Sequence, residues 1–114
     1  MSSRAAHAGQ PPVVEPLAVG ALEIDRTARR VSKRGSEIGL TAKEFDILVL
    51  LATEPDRVFT KEQIFDRCWG EGTFGEMATV TVHIRRMREK LEDDPSRPRY
   101  IETVWGVGYR LRVS

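Results

Sequence analysis

The sequence predicts one α+β domain: a small antiparallel sheet of three or four strands, then three helices, then a C-terminal hairpin. Three observations predict it. Short alternating apolar runs occupy positions 17–40, two Thr-x-x-Glu/Gln boxes open helical repeats at Thr41 and Thr60, and a glycine-punctuated alternating segment fills positions 100–112. A chain of 114 residues supports a single modest core and is too short for two.

Residues 1–16 carry small and polar side chains, with prolines at positions 11, 12 and 16 and little to bury, the composition of a disordered tail or interdomain linker; the folded unit is expected at 17–114. From Leu17 the period becomes two. Leu17 to Val19, Leu22 to Asp25, Arg29 to Lys33 and Glu37 to Leu40 alternate, with Gly20, Asp25 to Ala28 and Gly35 as turns between them. Leu22, Ile24, Val31, Ile38 and Leu40 are the apolar residues of a sheet that needs a helix to cover it.

That helix follows at once. In the box Thr41-Ala-Lys-Glu44, Thr41 caps the backbone and Glu44 reaches back, after which Phe45, Leu48, Val49, Leu51 and Ala52 recur at helical spacing until Pro55. Val58 and Phe59 make a short extended link to the second box, Thr60-Lys-Glu-Gln63. Its helix runs through Ile64, Phe65, Cys68 and Trp69 and stops at Gly70. The connector from Gly70 to Glu76 exceeds the ~3–4-residue turn of a simple helix-turn-helix. Glu71, Thr73, Phe74 and Glu76 would lie exposed in it, as a protein-contact surface or as an ordinary solvated loop.

The third helix, Met77 to Leu91, has two unlike faces. Stepping ~100° per residue puts Val80, Ile84, Met87 and Leu91 in one narrow stripe. Ala78, Val82, Arg85 and Glu89 lie farthest from it, flanked by Thr81 and Arg86, with Arg88 nearer the core edge. Short side chains on the leading turns and guanidinium groups on the later ones suit a duplex major groove, although an arginine-rich face is also what a solvated helix presents. Glu89, one turn after Arg85, is spaced for a helix ion pair worth ~0.3–0.5 kcal/mol.

Glu92-Asp-Asp-Pro95 ends that helix. Acids there oppose the helix dipole at about a few tenths of a kcal/mol each, which reads as a choice for solubility or steering. The closing segment, Tyr100 to Arg112, alternates and bends at Gly106 and Gly108, giving a hairpin with Ile101, Val104, Tyr109 and Leu111 inward. Two capped helices before a basic third make a helix-turn-helix, and a hairpin appended to it is a wing.

The net charge of +1 hides a polarity: residues 41–76 hold four basic against eight acidic side chains, residues 77–114 eight against five. An acidic shoulder beside a basic end would orient the domain on a polyanion. One cysteine, Cys68, makes an internal disulfide impossible and suits a reducing compartment, where it reads as a half-buried packing residue. With only His7 and His83 beside it, no metal site is expected, nor any cofactor. No apolar run reaches the ~18 residues of a membrane span, so a cytoplasmic location without membrane contact is expected. No carboxylate pair, Ser/His/Asp set or phosphate loop appears, and Gly106-Val-Gly108 lies in a hairpin, so no enzyme is expected.

Several ordered blocks, in register, resemble the OmpR/PhoB family of winged-helix domains, the DNA-binding output halves of two-component response regulators. They are Leu40-Thr41-x-x-Glu44-Phe45-x-x-Leu48-x-x-Leu51, Pro55-x-x-Val58-Phe59-Thr60-Lys61, Trp69-Gly70, Val80-x-Val82-His83-Ile84-Arg85-Arg86-Met87-Arg88-x-Lys90-Leu91 and Gly106-Val107-Gly108-Tyr109-Arg110. The resemblance covers residues 17–113. It implies a winged helix-turn-helix with an N-terminal four-stranded sheet, helix 77–91 in the major groove and wing 100–112 at the backbone or minor groove. It also implies a receiver domain in the full-length protein, phosphorelay signalling, homodimers on tandem repeats of double-stranded DNA, and RNA polymerase as a partner of the 70–77 loop.

Position by position, the resemblance makes Thr81, Val82 and Arg85 base-edge readers. Thr79, His83, Arg86 and Arg88 become phosphate or groove-wall contacts, and Thr60 with Lys61 would hold a phosphate at a helix start. His83 has an equal alternative as a local packing and hydrogen-bonding residue. Trp69 and Trp105 read as packing residues. Two departures stand out: Ala78 and Trp105 occupy positions where many members carry arginine, which shifts the minor-groove role to Arg110, Arg112 or Arg99, or removes it. A winged helix that binds protein without DNA is the alternative function that Ala78, Trp105 and the weak net charge leave open.

Overall fold

Strand alternation sets the first layer of the computed structural model, which describes residues 16–70 and 77–112. Strands β1 (Leu17–Val19), β2 (Leu22–Asp25), β3 (Arg30–Lys33) and β4 (Ser36–Ile38) pair antiparallel in chain order. Ile24 sits opposite Leu17 on one side and Val31 on the other, and Val31 opposite Ile38, so one face of the sheet is apolar. Leu22, Ile24 and Val31 are buried; Ile38 and Leu40 are only partly so. The expected linker lies outside the described residues apart from Pro16, and so do the four loop residues Glu71, Thr73, Phe74 and Glu76.

Three helices build one core together with that face: α1 (Ala42–Thr53), α2 (Lys61–Trp69) and α3 (Ala78–Leu91). Both expected capping boxes form, with Thr41 accepting from the Glu44 N–H and Thr60 from the Gln63 N–H, while Glu44 and Gln63 accept from the cap backbone in return. Glu44 does more than cap. It is 1% exposed and receives Lys90 Nζ at 2.6 Å, tying α1 to α3. Burial pushes its carboxyl upward, but the hydrogen bonds from Lys90 and Thr41 outweigh that and hold it below its ordinary value.

The hairpin is larger than expected. Strands β6 (Ile101–Val104) and β7 (Gly108–Leu111) are joined by β5 (Phe59–Thr60), giving a second sheet in the order β5-β7-β6. The link between α1 and α2 is therefore a strand, with Phe59 opposite Tyr109 and Thr60 opposite Gly108. Gly108 permits that approach, because a Cβ there would lie 2.0 Å from the Phe59 carbonyl oxygen. Ile101, Tyr109 and Leu111 are buried as expected, and Val104 only partly.

The acids after α3 are a correction to the solubility reading. Glu92 is 6% exposed, and its two carboxylate oxygens accept the backbone N–H groups of Arg99, Tyr100 and Ile101 at 2.7–3.1 Å. The chain reverses there into the core with three donors and no strand to receive them, so a carboxylate serves. Asp93 pairs with Lys33 Nζ at 2.6 Å and with Arg34, and Lys33 also donates to the Leu91 carbonyl that ends α3. Asp94 accepts from the backbone and hydroxyl of Ser96. These acids are structural fasteners.

Candidate nucleic-acid interface

Helix α3 offers one face to the core and the other to solvent. Val80, Ile84, Met87 and Leu91 are at most 1% exposed, while Ala78, Val82, Arg85, Arg86 and Glu89 lie in water. Val82 keeps 42% of its surface exposed on a helix whose neighbouring positions could have been polar. Among the described residues Arg85 and Arg86 make no hydrogen bond or ion pair, so the expected Arg85–Glu89 pair does not form and both guanidinium groups are free to meet a ligand. Thr81 and Thr79 sit partly buried at the borders of the face.

Other candidates have prior engagements. Arg88 points inward: its Nε and Nη2 donate to the Ile101 carbonyl at 3.2 and 2.8 Å, Nη2 reaches Thr103 Oγ1 at 2.7 Å, and the guanidinium lies 5.7 Å from the Tyr109 ring centroid. Its geometry departs from the phosphate reading, because the fork is spent on fastening α3 to the wing. His83 likewise takes the local alternative. Nδ1 bonds the Thr79 carbonyl at 2.7 Å, and the ring sets its edge against Trp69, which stacks on Phe65 at 5.2 Å. Cys68 is half-buried as read, and burial pushes its thiol up to about 11, away from reactivity.

The wing holds its cations on a short leash. Glu102 accepts from Arg110 Nε at 2.5 Å and faces Arg112 at 3.7 Å. Thr60 Oγ1 is occupied by its capping bond, whereas Lys61 beside it is exposed, as is Arg99. Trp105 corrects the packing reading, for it is 89% exposed at the wing tip. Its position between two strands leaves it no core to enter, which the hairpin pattern foretold and its hydrophobicity obscured. A cleft of about 520 Å³ is lined by Lys61, Thr81, Arg85, Arg88, Thr103 and Trp105 among others, so the start of α2, the open face of α3 and the wing share one side of the molecule.

The pattern of the family described as "Transcriptional regulatory protein, C terminal" matches residues 35–111. YcbL of Bacillus subtilis, a transcriptional regulatory protein by its name, is 45% identical over 104 residues, which are 91% of this chain and 46% of that protein. Among solved structures, the response regulator DrrB of Thermotoga maritima, described as an OmpR/PhoB homolog, aligns with a TM-score of 0.80 at 36% identity, over 96% of this chain and 48% of its own. The DNA-binding domain of Klebsiella pneumoniae RstA, solved in complex with the RstA box, aligns at 0.80 and 30% identity, over 89% of this chain and 100% of its own. The chain thus spans about half the length of YcbL and of DrrB, and the whole of the RstA domain.

Proposed function

The chain belongs to the family of C-terminal domains of transcriptional regulatory proteins, with the OmpR/PhoB winged-helix fold, and from that premise we propose that it binds double-stranded DNA sequence-specifically as the output domain of a two-component response regulator. One observation carries the reading: α3 buries an entire aliphatic stripe while Val82, Arg85 and Arg86 stand exposed on the other side, with Thr81 partly buried at its border. In the major groove, Thr81, Val82 and Arg85 read base edges, and a valine suits a thymine methyl as a guanidinium suits guanine. Arg86, Lys61, Thr79 and Arg99 hold phosphates; Arg110 and Arg112 assist from beside Glu102; Thr60, His83 and Arg88 position the helix more than they touch DNA.

The same reading extends beyond the domain. A receiver domain in the full-length protein controls it through phosphorelay, two copies occupy tandem repeats, and the 70–77 loop with Glu71, Thr73, Phe74 and Glu76 meets RNA polymerase, all in the cytoplasm. Residues 1–16 serve as the linker to the folded unit. No helix among the described residues is long and apolar enough to cross a membrane. Selecting bound duplexes from a random pool, then titrating the winner at two salt concentrations, tests the reading. A recurring motif and a binding constant that falls steeply with salt are expected. A chain that retains no duplex at low ionic strength refutes it.

A further inference from the structure

The wing tip holds the most exposed large apolar side chain among the described residues, Trp105, with Val107 at 53% beside it. The backbone enforces this exposure. The Val107 N–H bonds the Val104 carbonyl and Gly106 takes φ +79°, so the turn carries its side chains beyond the ends of both strands. An indole is costly to leave in water, since it has roughly 150–250 Å² to bury. Two further observations give it a direction. Trp105 shares a cleft with Thr81 and Arg85 of α3, so it faces the side that reads DNA. The wing's own cations, Arg110 and Arg112, both lean on Glu102, and the tip residues Trp105, Gly106 and Val107 carry no charge themselves, the one lysine lining the hollow beside them, Lys61, belonging to α2.

We infer that Trp105 is the wing's contact with DNA and that it acts without charge, its indole lying between the sugar walls of the minor groove. This rests on the DNA-binding reading above. The walls of that groove are deoxyribose and largely apolar, and its floor offers A N3 and T O2 as acceptors, whereas a G·C pair adds the guanine N2 amino donor. The indole N–H is a donor only. It therefore matches an A·T-lined floor and meets a like group over G·C, and apolar side chains are established occupants of this groove. Such a contact releases no counterion, so it adds affinity without adding to the salt slope.

The test uses the 114-residue chain and a duplex selected from a random pool. Trp69 is the other of its two tryptophans, so the difference in emission between wild type and Trp105→Phe isolates the wing signal, which is expected to shift or quench as duplex saturates. Trp105→Ala is expected to lose affinity about tenfold at an unchanged salt slope, and Trp105→Arg to recover it with a slope steeper by about one. Replacing adenine by 2,6-diaminopurine at the wing-side base pairs adds an amino group in the minor groove alone. It is expected to weaken wild type several-fold and leave Trp105→Ala unmoved. Unchanged Trp105 emission at saturation, wild-type affinity in Trp105→Ala, or equal diaminopurine losses in both proteins overturns the inference while DNA binding stands. A chain that binds no duplex overturns both.

Discussion

Arg85 and Arg86 are neighbours in sequence yet ~100° apart around α3, and on the proposed reading that rotation gives them different tasks. Arg85 lines the cleft shared with the wing, where a fork can reach a guanine edge, and Arg86 lies at the border of the same face. Arg85→Ala is expected to cost roughly 1–3 kcal/mol on the selected site and to relax preference at one base pair. Arg86→Ala should weaken every duplex alike and flatten the salt slope by about one. Titrations on selected and random duplexes at two salt concentrations separate them, and equal losses for Arg85→Ala on both would remove its reading role. Glu92 makes the opposite case, a charged residue whose carboxylate is engaged inside the fold. Glu92→Gln keeps the shape but turns an amide donor toward three backbone donors, so about 1–3 kcal/mol of stability should go. A lower urea midpoint with duplex affinity intact is the expected signature.

Among the elements, the wing depends on its neighbours more than its own turn suggests. Phe59 and Thr60 supply its third strand, and Arg88 pins it to α3 through the Ile101 carbonyl and Thr103. Arg88→Ala should therefore lower the melting temperature and speed amide exchange at Ile101, Thr103 and Tyr109, whereas Arg86→Ala should leave both alone. Unaltered exchange in Arg88→Ala would return that arginine to the phosphates. This contrast also marks where the sequence could be read. Periodic features were legible: the stripe Val80-Ile84-Met87-Leu91 and the boxes at Thr41 and Thr60 depend on residues within a few positions of one another. Features set by distant chain were not. A two-residue strand at Phe59 exists only because Gly108 admits it, and Glu92 is buried only because the chain reverses eight residues later. Arg88 and Arg85 look alike in sequence and differ in what the wing places beside them. Trp105 misled because hydrophobicity argues for burial, while a hairpin tip has no interior.

For the molecule as a whole, the first sheet and the helical core are joined partly by charge. Lys33 and Arg34 on the β3–β4 hairpin meet Asp93 after α3, Lys33 caps the end of that helix, and Arg29 pairs with Asp46 of α1 at 2.8 Å. The Tyr100 hydroxyl adds a neutral tie by accepting the Ala21 N–H at 3.2 Å. The hydrogen bonds from Lys33, then Arg34, hold the Asp93 carboxyl down at about 2. A carboxyl held lower in the folded chain than in the unfolded one, where about 3.9 is ordinary, stabilises fully above that higher value. Its contribution fades as pH falls through the window and is gone below about 2. Glu44, also held low, loses its bond to Lys90 in the same direction. The domain should thus lose some stability between about pH 4 and pH 2, and Asp93→Asn, with no proton to gain there, should show a shallower decline from a lower starting point. Urea midpoints across that range decide it: if the two curves run parallel, Asp93 and the lysine facing it do not couple the sheet to the helices, and the join rests on apolar packing, Tyr100 and the Arg29–Asp46 pair instead.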